Sequence, residues 1–274
     1  MTEFIICGSA AAEAWPAIFC NCRCCQEAFA RGGKEIRTRT TYHLGDTVHI
    51  DFGPDACTQM QRFRLPFDRL KHLLITHSHQ DHWLPSELCY RRPGFSVVDE
   101  ENILTVHGNA RVREKLEAAV GDDFPFYRLR FEEVRPGRPI DLGDGMRAVP
   151  VPANHDRKEM CVFYLLQVGD RVLLQANDTG WFLDSAWEIL RDYEIDIVVM
   201  DSTSGKIESR EGHLGCRWVV ALRDEMLAQG ILKTEHRFIA NHFSHNGGWL
   251  HTELEEYFAP HGIEVGYDGM RIPV

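Results

Sequence analysis

The chain has 274 residues, 44% hydrophobic and 26% charged, enough to bury a large core in one α/β domain or two fused halves. Its formal charge of −11, with basic residues scattered apart from the short pair Arg91-Arg92, argues against a long nucleic-acid partner, since such binders neutralise phosphates with clustered Lys and Arg. No apolar run is long enough to cross a membrane, and the first residues read into a strand rather than a secretory segment, so the cytoplasm is the expected location.

A strand at about residues 4–7 ends in the small-residue turn Gly8-Ser9-Ala10-Ala11. Four of the nine cysteines follow within Cys20 to Cys25, a spacing that suits thiols or metal ligands rather than a disulfide framework. Residues 48–54 form a strand broken by Gly53-Pro54, with Asp51 at its exit. The apolar run 70–75 leads directly into Thr76-His77-Ser78-His79-Gln80-Asp81-His82. A loop after a buried strand gives ligands a rigid base and an open cleft. A helix near 110–119 precedes strands at 129–134, 146–151, 162–168 and 172–175. Asn177-Asp178-Thr179-Gly180 then enters a helix at about 183–192. Residues 195–200 form another buried strand, ending in Asp201-Ser202-Thr203, and a helix is predicted from near His213 to Ala228. Phe238-Ile239-Ala240 leads into Asn241-His242-Phe243-Ser244-His245. Sheets covered by helices fit this order. With no repeat or linker, the expectation is one domain over 1–274, with a cysteine-rich zinc-binding insertion near 20–25.

His-x-His-x-Asp-His supplies three imidazoles and a carboxylate within six residues. His77 and His79 can face one metal while Asp81 and His82 turn towards a neighbour, and such ligands suit zinc, manganese or iron. One loop cannot complete two sites. His155, Asp178 and His242, each after an apolar segment, are candidates for the rest. Taken singly, a strand-end Asp often caps a turn and a lone His is usually solvated.

Asp51, the 77–82 motif, His155, Asp178 and His242 resemble, in order and context, the five motifs of the metallo-β-lactamase superfamily. The resemblance implies an αββα sandwich with the site along its edge. It also implies that His77, His79 and His155 bind one metal and Asp81, His82 and His242 the other. Asp178 would bridge them, with Asp51 in support. Cys20, Cys22 and Cys25, with His245, resemble the structural zinc ligands of the bacterial phosphodiesterases of phosphonate breakdown, which hydrolyse a phosphoribosyl cyclic phosphate; Cys24 beside Cys25 leaves open which of the two binds. The alternative is a group of reduced thiols. The same segment is also similar to a protein of pyrroloquinoline quinone biosynthesis. Asp201-Ser202-Thr203 and Gly212-His213 resemble segments of the superfamily's phosphodiesterases, including the tRNA 3′-processing endonucleases, which implies that His213 protonates the leaving oxygen. Alternatively, His213 flanks the helix it opens.

The expected activity is phosphodiester hydrolysis of a small anionic substrate, cyclic esters included, with two divalent cations (zinc or manganese) and one structural zinc. A hydroxide bridging the two cations would attack, and Asp81 and His213 would carry catalysis. Bound cations would reverse the acidic field for such a substrate. Some of Trp15, Trp83, Trp181 and Trp249 are expected in the pocket walls, and a homodimer is compatible with the sequence. A lactone or thioester hydrolase, or a non-catalytic accessory protein of cofactor biosynthesis, would use the same ligands without needing His213.

Overall fold

The computed structural model describes residues 2–274. One sheet contains β1 (Glu3–Gly8), β2 (Thr41–Leu44), β3 (Val48–Ile50), β4 (His72–Leu74), β5 (Leu104–Gly108), β6 (Leu129–Glu133) and β14 (Met270–Pro273), in the order β14-β1-β2-β3-β4-β5-β6. The other contains β7 (Ile140–Gly143), β8 (Met146–Pro152), β9 (Val162–Val168), β10 (Arg171–Ala176), β11 (Ile195–Asp201), β12 (Leu232–Asn241) and β13 (Glu264–Val265), in the order β13-β12-β11-β10-β9-β8-β7. β3 to β6 are mutually parallel, as are β10 to β13.

Period-two alternation explains how the sheets stack. Along β9, Val162, Tyr164, Leu166 and Val168 point into a core shared with Phe4, Ile6, Tyr42 and Ile50 of the first sheet, while Phe163 and Leu165 point the other way. β11 does the same, with Ile197 and Val199 inward and Val198 and Met200 outward. Both faces are covered, so these strands read as unbroken apolar runs. The outward residues pack under α4 (Asp184–Leu190), α5 (Cys216–Ala228) and α6 (His251–Phe258). On the other side, α3 (Ala110–Val120) lays Val112, Leu116 and Val120 over Leu73, Ile75 and Val106. The layers are therefore αββα.

The four strands predicted between 129 and 175 form within a residue or so of their expected ends. The helix expected from His213 instead begins at Cys216. Gly212 turns at φ 71°, and the Leu214 N–H donates to Asp201 Oδ1 at 3.0 Å instead of entering a helical ladder. Three short helices lacked a clear signal: α1 (Arg23–Arg31), α2 (Ala56–Phe63) and α6. The buried face of α1 is Cys24, Cys25 and Ala28, a cysteine face where periodicity looks for aliphatic residues. No helix among the described residues is long and apolar enough to cross a membrane.

Candidate metal centre

The site forms where loops leave the carboxyl ends of strands, the usual place for ligands in sheets with parallel strands. Asp51 follows β3, residues 77–82 follow β4, His155 follows β8, Asp178 follows β10 and His242 follows β12. Asp51, Asp178 and His242 have φ of 62°, 51° and 60°. Left-handed backbone is uncommon for residues other than glycine and costs about 1 kcal/mol or more each. Here it turns the chain sharply off the strand, aiming Asp178 and His242 into the cleft and Asp51 at His82 and Thr76 behind it.

Donor atoms of His77, His79 and His155 converge in one group, and those of Asp81, His82 and His242 in a second. Asp178 adjoins both: its Oδ2 lies 2.9 Å from His82 Nε2 and 3.1 Å from His242 Nε2, and its Oδ1 lies 3.7 Å from His155 Nε2. The carboxylate of Asp81 is 3.0 Å from His82 Nε2.

Two buried carboxylates set the imidazoles. His82 Nδ1–H donates to Asp51 at 2.7 Å. His77 Nδ1 meets Thr76 Oγ1 at 2.9 Å, and that hydroxyl donates to Asp51 at 3.0 Å. On the other side, His213 Nδ1–H donates to Asp201 at 2.9 Å. His242 Nδ1 meets Thr203 Oγ1 at 2.7 Å, and that hydroxyl donates to Asp201 at 3.0 Å. His155 Nδ1 faces the Gly212 carbonyl at 3.3 Å. Each ring is held through Nδ1 and turns Nε2 to the cleft, the way outer partners orient metal-binding histidines. His79 is reversed, with Nε2 on Asp156 at 3.2 Å and Nδ1 towards His155 Nε2 at 3.2 Å.

These groups fit divalent cations. The buried atoms His77 Nε2, His242 Nε2 and Asp178 Oδ2 lack a hydrogen-bond partner, and such orphans call for an explanation. His242 Nε2 and Asp178 Oδ2 approach each other without hydrogen-bond alignment, as two ligands of one ion do. Burial holds His77 well below the ordinary imidazole range, leaving the neutral form that binds metal. Burial also opposes charge on His82, but Asp178, Asp81 and Asp51 outweigh it and hold that ring well above its range. In the same way Asp178 overcomes burial to raise His242 to about 10. The carboxylates thus demand positive charge at the centre of the site, and a divalent cation meets that demand.

His213 stands apart. It meets His155 edge-on and stacks on His242, with ring centroids 4.9 and 5.8 Å away. Burial disfavours its charged form, but Asp201 overcomes this and raises the imidazole above its usual range. Its donor atoms also fall near those of Asp178, Asp201 and His242. Asp201 was not among the expected site residues. It closes the buried strand β11 and opens the Asp201-Ser202-Thr203 segment singled out for its resemblance, but was given no role of its own; it accepts from His213, Thr203, Leu214 N–H and Asp178 N–H.

Cys20, Cys22, Cys25 and His245 form a further group. His245 Nδ1 lies 3.5 Å from Cys20 Sγ and 3.4 Å from Cys22 Sγ. Three sulfurs and one imidazole match a closed tetrahedral zinc site. Burial opposes ionisation of Cys22, but hydrogen bonds from the Cys25 backbone, His245 and Cys20 bring its thiol down to about 6, favouring the thiolate that zinc requires. Cys24 lies outside the group; it is buried, and its carbonyl accepts the Trp15 indole N–H at 3.2 Å. All nine cysteines are free.

A cleft of about 380 Å³ opens over the histidines, lined by His79, Asp81, His155, Asp178, His213 and His242 on one wall. Tryptophan was expected in its walls, and the structure corrects this: none of the four lines it. Trp15 and Trp83 are 1% exposed, and the Trp83 indole donates to the Val112 carbonyl. Trp181 packs against Trp187 and Trp218, and Trp249 against Tyr257.

Residues 36–236 match the beta-lactamase superfamily domain. The chain belongs to that superfamily. A ribonuclease Z from Parabacteroides distasonis is 27% identical over 111 residues, 38% of this chain and 34% of that protein. The match thus spans only about a third of that relative's length. Among solved structures, a diphosphatase of the PhnP family has TM-score 0.77 at 20% identity, covering 99% of this chain and 96% of that one. Zinc-bound PqqB from Methylobacterium extorquens has TM-score 0.72 at 17% identity, covering 99% and 100%. The short form of human tRNase Z has TM-score 0.66 at 13% identity, covering 99% of each. At these identities the structural likeness speaks for the fold.

Proposed function

We propose that the protein is a metal-dependent phosphodiesterase acting on a small anionic ester. His77, His79 and His155 would hold one cation, Asp81, His82 and His242 the other, and Asp178 both. Cys20, Cys22, Cys25 and His245 would hold a structural zinc. When bound, the pair of active-site cations supplies Lewis-acid stabilisation of a phosphoryl group and lowers the pKa of bound water towards neutrality.

The observation that carries the reading is His213. Hydrolysis of an alkyl phosphodiester must expel a basic alkoxide, so a proton donor beside the phosphate is worth about 10²- to 10⁴-fold. Asp201 accepts a hydrogen bond from His213 Nδ1–H at 2.9 Å, which fixes the ring and leaves Nε2–H as the proton to be given. The His155 ring meets His213 edge-on and the His242 ring stacks on it, so that proton would be given beside the cations these residues would hold. Acyl hydrolysis has no strict need of such a donor. The ribonuclease Z relative acts on another phosphodiester by its name, which supports the same chemistry.

A panel of bis(4-nitrophenyl) phosphate, cyclic phosphates, lactones and thioesters, each with Mn²⁺ or Zn²⁺, tests this. Turnover of phosphodiesters is expected. Turnover confined to acyl compounds would sink the proposal.

A further inference from the structure

The wall of the cleft facing the ligand groups contains Glu13, Ser204, Ser244 and Asn246. No Lys or Arg lines the cleft among the described residues. A second phosphate on the substrate would therefore find no cation there, and would meet a carboxylate.

Glu13 is held in an unusual way. Its Oε1 accepts from Ser244 Oγ and from Asn246 Nδ2 at 3.2 Å, and His245 Nε2 lies 3.4 Å from the same oxygen. All three partners crowd one oxygen. Oε2 receives no hydrogen bond from the described residues, and the side chain is 28% exposed where it lines the cleft. The carboxylate is thus fixed at one end and offers a strong acceptor to the cleft at the other. His245, one of its supports, presents its other ring nitrogen to Cys20 and Cys22, so the cysteine group anchors this wall.

We infer that Glu13 selects the substrate: the arm of the phosphodiester that stays behind carries hydroxyl groups and no second phosphate, as a sugar or polyol does, and one hydroxyl donates to Glu13 Oε2. This rests on the phosphodiesterase reading and specifies the substrate class of the same cleft. A fixed acceptor left unpaired by the wrong substrate costs more than the bond gains, which is how polar pockets discriminate strongly.

The test uses the metal-loaded protein and three substrates sharing a nitrophenolate leaving group: 4-nitrophenyl glyceryl phosphate, 4-nitrophenyl propyl phosphate and 4-nitrophenyl 3-phosphopropyl phosphate. The wild-type protein should favour the glyceryl over the propyl ester by roughly 10- to 100-fold in kcat/KM, the range for a hydrogen bond to a charged group. The phosphopropyl ester should be the poorest. In Glu13→Gln the glyceryl-to-propyl ratio should fall towards one, and the penalty on the phosphopropyl ester should shrink. Equal wild-type values for glyceryl and propyl esters, or preference for the phosphopropyl ester, would overturn the inference. So would a Glu13→Gln loss shared equally by all three esters, or loss of zinc from that variant, since Glu13 would then only brace the wall. Turnover of bis(4-nitrophenyl) phosphate in parallel separates the two levels. If it proceeds, failure belongs to Glu13 alone; if no phosphodiester is hydrolysed, the proposed function falls and this inference with it.

Discussion

Asp51 and Asp201 play matching parts in the site. Each takes one imidazole directly, His82 or His213, and a second through a threonine hydroxyl, Thr76 to His77 or Thr203 to His242. Of these four rings, the metal assignment uses three and leaves His213. Its replacement separates the roles open to it. His213→Ala should slow hydrolysis of an alkyl-leaving phosphodiester by about 10²- to 10⁴-fold. It should cost much less on bis(4-nitrophenyl) phosphate, whose leaving group needs no proton, and metal content should hold. Equal losses on both substrates would make His213 a phosphate-binding group. A fall in metal content would make it a ligand, in keeping with its closeness to Asp178 and His242. The candidate ligand residues stood out because rare residue types sit where apolar strands end. Glu13 was not, because its meaning comes from Ser244, 231 positions away, and a common surface residue carries no local mark of such a contact.

At the scale of elements, the loop bearing the histidines is clamped from behind. The Phe52 N–H donates to the His82 carbonyl at 2.7 Å, and the Leu84 N–H donates to the Phe52 carbonyl at 2.8 Å. Gly53 lies so close that an added Cβ would stand 1.9 Å from the Asp81 carbonyl oxygen. The neighbour is backbone, so the loop itself must shift. Gly53→Ala should destabilise the fold by about 1–3 kcal/mol, the usual cost of overpacking, and lower metal occupancy of the centre. Chemical denaturation with elemental analysis would check both, and unchanged occupancy would mean that the loop yields without moving Asp81. The cysteine segment is a second clamp, tying the start of α1 to the turn that follows β12. Cys22→Ser should lose one tightly held zinc and become less stable, because structural zinc contributes to folding free energy. Full metal content and normal stability in that variant would reduce the cluster to a set of thiols. Strands were easier to read than short helices here. Two-sided burial makes β9 and β11 continuous apolar runs, whereas eight or nine residues give a helix little room to show its period.

Across the whole molecule, neither proposed cation belongs to one sheet. His77, His79, Asp81 and His82 leave the sheet of β1, while His155, Asp178 and His242 leave the sheet of β11. Any ion that binds only this folded arrangement stabilises it by mass action, about 2.7 kcal/mol at a free concentration one hundred times Kd. Chelation should therefore lower Tm by roughly 5 °C, with a smaller effect in His77→Ala, which binds less metal at the outset. A chelator with no effect on wild-type Tm would mean that the groups do not hold ions under those conditions. The seam between the sheets is otherwise held mainly by apolar contacts, with a few buried hydrogen bonds such as Tyr164 to the Ile75 carbonyl and Asn241 to Tyr42. With cations bound, the proposed ligand sets would act as rivets across the seam: parting the layers would have to break both coordination spheres at once. Unfolding of the loaded protein should then be a single cooperative event, and stripping the ions should let the two halves of the sandwich loosen on separate schedules.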